Sequence, residues 1–398
     1  MIILAGPDIV LPDRIVRNGS LVMDEGRIVD VREGGAPTDA GRRDLGGHFV
    51  IPGFIDVHVH GVEGLDALGP VESIGEIATR LVKYGVTAFC PTTIACSPQD
   101  LERALNAIRV AHRPRTETRG AHVLPAHLES NFINPDYRGA QPLEHLSAPP
   151  LPAKGREDAG GDEILRVIDA YQAEVGIVTL APELPHALAL IERLVSRGIH
   201  VSLGHSGATL EQGRAGIEAG ARQATHLFNR MPPLNHRAPG LVGAVLESEA
   251  VAAEIVCDGY HVHPLMVRAA IAAKRVPHVM VITDGIAGAG LPVGSRVELG
   301  GRPVTVRETA CFLDDGTLAG SRVTMDGAFR FVVQALGFSL LDAARLCATN
   351  QAEQLGLSDV GALRVGAGAD LTVLDSNLQV RSTYVAGQLA YDASTVSS

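Results

Sequence analysis

Lysine is almost missing from this chain. Three of its 34 basic residues are Lys (Lys83, Lys154, Lys274), against 45 acidic residues and a formal net charge of −11. With no basic cluster to follow a phosphate backbone, nucleic acid is excluded as the expected partner, although a local Arg or His site for a small anion remains open. No stretch of roughly 18 residues is free of charges and helix breakers, so no membrane span is expected. The opening MIILAGPDIVLPDRIVRNG lacks the basic start and long apolar run of a secretory signal. The five cysteines are scattered, and Cys90 and Cys96 stand too far apart for a zinc-ribbon pair. Buried free thiols in a reducing cytoplasm are the expectation. There is no internal repeat or low-complexity tract.

Hydrophobic residues make up 46% and charged residues 20% of the 398, the balance of a folded globular protein. IVRNGSLVMDEGRIVDV alternates apolar and polar residues between turn signals, as a short antiparallel meander does. GADLTVLDSNLQVRSTYVAGQLAYD, near the other end, has the same texture. One small β-sandwich domain built from both termini is expected, over 1–51 plus 362–398.

Residues 52–361 change period. Eight short apolar runs are expected as strands: Phe54–His58, Thr87–Pro91, His122–Glu129, Gly176–Pro182, His200–His205, Gln223–Phe228, Ala252–Asp258 and His278–Asp284. Amphipathic stretches lie between them, at Ser73–Tyr84, Gln99–His112, Glu163–Gln172, Leu188–Arg197, Leu210–Ala219 and Pro264–Lys274. Alternating β and α units predict an α/β fold of the (β/α)8 TIM-like barrel type. The alternative is a doubly wound sheet, but no GxGxxG follows the first strand. Asn134–Gly161, rich in Pro and Gly, is expected to cover the active site or to run irregularly over the surface. Gly285–Cys311 is a second excursion.

The polar residues at strand ends carry the chemistry. His58 and His60 close the first strand, Glu129 the third, His205 the fifth and Asp284 the eighth; His226 lies in the sixth. In a barrel these ends open on the face where catalytic groups collect. Residues two apart in a strand share a side, so His58 and His60 can reach one ion. Imidazole with carboxylate suits Zn(II), Fe(II) or Mn(II). A divalent metal there polarises a carbonyl and acidifies bound water, with Asp284 as general base. A lone strand-end histidine is more often structural; six such groups at one face are not. His127, two residues before Glu129, is a candidate support.

PGFIDVHVHG, HLES, LGHSGAT, THLFNRM, HRAPGLVGAVL, DGYHVHP, TDG and LAGS, in that order, resemble the amidohydrolase superfamily and, within it, the family of N-acetylglucosamine-6-phosphate deacetylases. The resemblance implies hydrolysis of the acetamide of N-acetylglucosamine 6-phosphate. It implies Glu129, His205 and His226 as ligands of a main metal, with His58, His60 and Asp284 at a second position. One or two divalent ions per subunit are expected, zinc first, with iron, manganese or cobalt as alternatives. GIVTLAPEL, the fourth strand, has no lysine to bridge two metals, which agrees with Glu129 taking that place. Asn229, Arg230 and His261 match sugar or phosphate contacts, and Ala140, Gln141, Leu318, Ala319 and Gly320 match the pocket wall. Arg237 matches an arginine reaching the substrate phosphate from the partner subunit of a homodimer.

The chain departs from that pattern twice. HLESN replaces HLEGP, so Ser130 and Asn131 imply a locally different loop. RGAQ replaces RGAH, so Gln141 stands where the family has a histidine, with His145 four residues on as a stand-in. Rival readings are an amidohydrolase acting on another N-acetylated sugar phosphate, such as N-acetylgalactosamine 6-phosphate, or on an N-acyl amino acid, and a non-catalytic scaffold.

Overall fold

The protein is described from a computed structural model covering residues 1–34, 41–112, 120–150 and 159–395. Eight parallel strands form the barrel. They are β1 (Phe54–Val59), β2 (Val86–Thr93), β3 (Ala126–Glu129), β4 (Val175–Leu180), β5 (His200–Leu203), β6 (Gln223–Ala224), β7 (Ala252–Val256) and β8 (Val279–Ile282). Each pairs in parallel with the next. The ring closes just past β8: Asp284 N donates to His58 O at 2.9 Å and His60 N to Gly285 O at 2.8 Å. Asp56, fully buried, fastens the same seam by accepting from Thr283 Oγ1 at 2.5 Å.

β4, β5, β7 and β8 each stop two residues short of the expected end, so His205 and Asp284 lie just past their strands, and two further strands differ more. The third is interrupted at Leu124–Pro125, and only His122–Val123 precedes the break; a proline has no N–H for the ladder. The sixth ends at Ala224 rather than Phe228, because His226 (φ 29°) and Phe228 (φ 79°) turn left-handed. A register slip opposes Phe89–Pro91 to Asp56–Val59, so β1 carries one extra residue in the stretch that holds His58. Such bulges re-aim side chains beside active sites.

Helices alternate with the strands: α1 (Ser73–Leu81), α2 (Pro98–Ala111), α3 (Ala159–Ala170), α4 (Ala187–Ser196), α5 (Leu210–Glu218), α6 (Gly240–Glu247) and α7 (Pro264–Lys274). Thr209 and Gln212 form a capping box that starts α5 four residues after His205. α6, GLVGAVLE, lies outside the expected helices, since an almost wholly apolar helix shows no amphipathic period. The Gly285–Cys311 excursion widens into a four-stranded antiparallel sheet of Arg296–Leu299, Arg302–Val306, Cys311–Leu313 and Leu318–Gly320.

Both termini build the flanking sheets. Ile2–Ala5, Gly19–Asp24, Arg27–Glu33 and Arg42–Asp44 form one. Asp8–Val10, Ile15–Val16 and Phe49–Pro52 join Leu371–Leu374, Val380–Val385 and Gln388–Asp392 in the other. Leu4, Leu21, Ile28 and Val50 share one buried cluster with Leu371 and Tyr384. The second sheet is tied to the barrel: Thr372 Oγ1 donates to Gly85 O (2.8 Å), Thr383 Oγ1 to Val82 O (2.7 Å), and His122 Nε2 meets Asp370 Oδ1 (3.0 Å). Of the expected loop Asn134–Gly161, residues 151–158 lie outside the described residues. Its first part covers the barrel mouth through short 3₁₀ turns at Pro135–Tyr137 and Leu143–His145.

The loop after β1 is held by Glu63, which accepts from Arg80 (2.9 Å), Lys83 (2.7 Å) and Tyr84 (2.5 Å). Burial opposes its charge, but these three donors bring its pKa to about 2. Glu63→Gln is therefore expected to cost about 1 kcal/mol at pH 7, discounted because Arg80 and Lys83 are half-exposed and screened. A carboxyl with a lowered folded-state pKa stabilises above its unfolded value and loses that contribution as pH falls toward 2. Urea melts of wild type and variant should converge over that acid range.

Candidate metal centre and active-site pocket

Of the six residues, His60, Glu129, His205, His226 and Asp284 line one pocket at the C-terminal mouth of the barrel, and His58 lies buried against them. Glu129 Oε1 lies 2.9 Å from His205 Nε2 and 2.8 Å from His226 Nε2, and the two imidazole nitrogens are 3.0 Å apart. Beside them, His58 Nε2 and His60 Nε2 are 3.3 Å apart, at 3.5 and 3.4 Å from Asp284 Oδ1. Glu129 stands between the groups, 3.6 Å from each of those histidines.

These donors fit a divalent cation. The donor atoms of Glu129, His205 and His226 lie within 4.8 Å of one another, as do those of His58, His60 and Asp284. A tetrahedral zinc at ~2.1 Å from its ligands holds them about 3.4 Å apart. Among the described residues the ion-pair partners of these carboxylates are histidines only, with no Lys or Arg. Burial alone would raise the Glu129 carboxyl, but His205, His226 and His58 hold it well below its usual range. Asp284 is likewise lowered: burial opposes its charge, and His60, His58 and His226 favour it. Burial opposes a charge on His58 too, yet Glu254, Asp284 and Glu129 bring its pKa to about 10.

Three of the six residues hold left-handed backbone: His205 (φ 46°), His226 (φ 29°) and Asp284 (φ 48°). Each costs on the order of 1–2 kcal/mol, and such strain collects where side chains must be aimed.

The supporting layer is polar. His205 Nδ1 donates to Tyr137 O at 2.9 Å, fixing Nε2 toward Glu129. His127 bridges Val57 O (2.9 Å) and Thr179 Oγ1 (2.8 Å), below the site rather than in it; burial lowers its pKa to about 4, so it is neutral. The hydroxyls of Thr179, Thr225 and Ser202 continue the chain. Gln141 accepts from Ala95 N at 2.8 Å, which aims its amide nitrogen at Glu129 Oε2, to which it donates. His145 does not line the pocket; its carbonyl accepts from Asn131 instead.

Neither Ser130 nor Asn131 takes a left-handed conformation. Ser130 Oγ donates to Thr179 O (2.5 Å) and Asn131 Nδ2 to Cys96 O (2.7 Å), so side chains pin this loop.

The pocket is also lined by Ala140, Asn229, Arg230, His261, Leu318, Ala319 and Gly320. Asp258 Oδ2 holds His261 Nδ1 at 2.6 Å. Gly320 is required where it stands, since a Cβ would lie 2.6 Å from Ile286 Cγ2. Arg237 is not in this pocket. It is exposed and lines a separate recess with Thr209, Pro232 and Gly240 beside the start of α5. Glu254 and Gln223, buried beneath His58, escaped the sequence reading. The only signal was one Glu inside the apolar strand AAEIV.

The chain belongs to the amidohydrolase family, whose sequence profile matches residues 49–390. Metal dependence is a property of that family, and the donor set here suits it. More particular is the similarity to N-acetylglucosamine-6-phosphate deacetylase of Homo sapiens, 37% identical over 401 residues, covering 96% of this chain and 94% of that one. N-acetylgalactosamine-6-phosphate deacetylase of Escherichia coli O157:H7 is 33% identical, over 89% of this chain and 90% of its own. Among solved structures, a mutant of N-acetyl-D-glucosamine-6-phosphate deacetylase from Mycobacterium smegmatis, in complex with N-acetyl-D-glucosamine-6-phosphate, superposes with a TM-score of 0.88. It is 32% identical, over 98% of this chain and 99% of that one. Among the described residues no helix is long and apolar enough to cross a membrane.

Replacing both His205 and His226 by Ala is expected to lower zinc affinity at least 100-fold, read by equilibrium dialysis with metal analysis. Unchanged zinc uptake would show that the ion sits elsewhere.

Proposed function

We propose that the protein hydrolyses the acetamide of N-acetylglucosamine 6-phosphate to D-glucosamine 6-phosphate and acetate, as an enzyme of amino-sugar catabolism or recycling. The observation that carries this reading is one pocket holding both halves of the task. A histidine–carboxylate cage stands on one side, and Asn229, Arg230 and His261 on the other. The relatives named above support it.

Glu129, His205 and His226 would hold a main ion, and His58, His60 and Asp284 a second. Zinc is the ion favoured, with iron, manganese and cobalt compatible with the same donors. The bound metal supplies Lewis acidity and a more acidic water. Asp284, ionised and facing the pocket, takes the proton of the attacking water. It then delivers that proton to the amine nitrogen as the C–N bond breaks. Gln141 has two amide hydrogens; one is spent on Glu129 and the other serves the acetamide oxygen as a neutral donor. Arg230 and His261 meet the phosphate and Asn229 the sugar, within walls formed by Ala140, Leu318, Ala319 and Gly320. Arg237, outside its own pocket, serves the partner's substrate phosphate in a homodimer, where a planar guanidinium offers two parallel donors.

N-acetylgalactosamine 6-phosphate is the second reading; the name of one Escherichia coli relative raises it, and the relatives named for the glucosamine substrate do not favour it.

Asp284→Asn is expected to lower kcat by on the order of 10²–10⁴ while metal content stays within twofold, followed by acetate release and metal analysis. Near-normal turnover would exclude Asp284 as the base. In a substrate panel, kcat/KM for N-acetylglucosamine 6-phosphate should exceed that for unphosphorylated N-acetylglucosamine by roughly 100-fold or more, about 2.7 kcal/mol. Arg237→Ala should raise KM for the phosphorylated sugar alone. Equal efficiency on both sugars would remove the phosphate-recognition claim; a preference for the galactosamine isomer would select the second reading.

A further inference from the structure

Glu254 lies in the middle of β7 and is fully buried. A carboxylate removed from water costs several kcal/mol unless it is paired and hydrogen-bonded. It touches no lysine or arginine among the described residues. Its Oε2 accepts from His58 Nδ1 at 2.9 Å and from His226 N at 3.3 Å, and its Oε1 from the Gln223 amide. His127 Nδ1, 3.8 Å from Oε1, gives its proton to Val57 O instead.

The four histidines of the site differ in what holds their far nitrogen. His205 Nδ1 has a backbone carbonyl and His58 Nδ1 has Glu254. His60 Nδ1 and His226 Nδ1 are buried without a hydrogen-bond partner among the described residues. Only His58 therefore has its tautomer dictated by a charged group. An ionised carboxylate accepts and cannot donate, so Nδ1 keeps its proton and Nε2 is the nitrogen left to give a lone pair to an ion. That Nε2 faces His60 Nε2 (3.3 Å), Asp284 Oδ1 (3.5 Å) and Glu129 Oε1 (3.6 Å).

We propose that Glu254 is a positioning residue for the metal centre, fixing the ring and tautomer of His58 from beneath and joining it, through His226 N, to the Glu129–His205–His226 group. Gln223 holds Glu254 in turn. This rests on the metal-binding reading of the six strand-end residues. A carboxylate behind a ligating histidine raises its basicity and locks its orientation, and losing it typically weakens metal binding 10–100-fold.

The test uses the full-length chain, stripped of metal and titrated with zinc against a chromophoric chelator. Glu254→Gln keeps the volume and removes the charge. It is expected to weaken the zinc site containing His58 roughly 10- to 100-fold, with the melting curve of the metal-free protein retained. The cobalt-loaded variant is expected to show an altered visible absorption band, which a purely structural role would leave alone. Should Glu254→Gln fail to fold, Gln223→Leu decides, with the same direction and a smaller change. A zinc isotherm and cobalt spectrum that superimpose on wild type overturn the assignment of Glu254 and leave the metal centre standing. Absence of zinc uptake by the wild-type protein overturns the metal centre itself and the inference with it.

Discussion

One carboxylate oxygen with two imidazole nitrogens pressed against it is the contact on which the site depends. Glu129 Oε1 can meet His205 and His226 at under 3 Å only if β3, β5 and β6 end at the same height and the chain bends sharply there. The left-handed turns at His205 and His226 provide the bend. Strain of this kind persists only where surroundings over-determine it. Here Tyr137 O, Gln141 and the hydroxyl chain below supply that determination.

The same contact orders the loops above the barrel. The segment after β3 returns over the site to bring Tyr137 O to His205 and Gln141 to Glu129. Glu183, after β4, accepts from Asn134, Ser206 and Gly207, locking the loops of β3 and β5 together. Across the mouth, the sheet inserted after β8 delivers Leu318–Gly320 to the pocket wall, and Ser321 N donates to Asp284 O at 2.9 Å. The insertion therefore supports the aspartate that the proposed reaction uses as a base.

Much of this was legible in the chain because the strand ends carry the chemistry. Eight apolar runs, five of them ending in His, Glu or Asp, are a pattern that a barrel brings to one face, and the eight strands lie where those runs do. What escaped had no local signal. Glu254 is one acidic residue in a strand, and nothing nearby in sequence shows that it lies beneath His58. The bulge in β1 depends on pairing with β2. The early end of β6 depends on left-handed conformations at His226 and Phe228, residues without the usual glycine mark. The helix Gly240–Glu247 is apolar on nearly every side, so periodicity had nothing to report. Arg237 matches a phosphate contact by sequence yet sits apart from the pocket, because a linear motif does not say where its residues lie in space.

The small second sheet imposes an order on synthesis. Phe49–Pro52 lies between Asp8–Val10 and Leu371–Leu374. On the ribosome, one edge of that strand must wait while more than three hundred intervening residues are translated. The barrel's first strand continues directly from it, one residue later. Contacts this distant in sequence form late, after the entropy of a long loop has been overcome. The nascent chain thus carries an open strand edge through most of its translation, and that edge is where a holding chaperone would find a reason to bind.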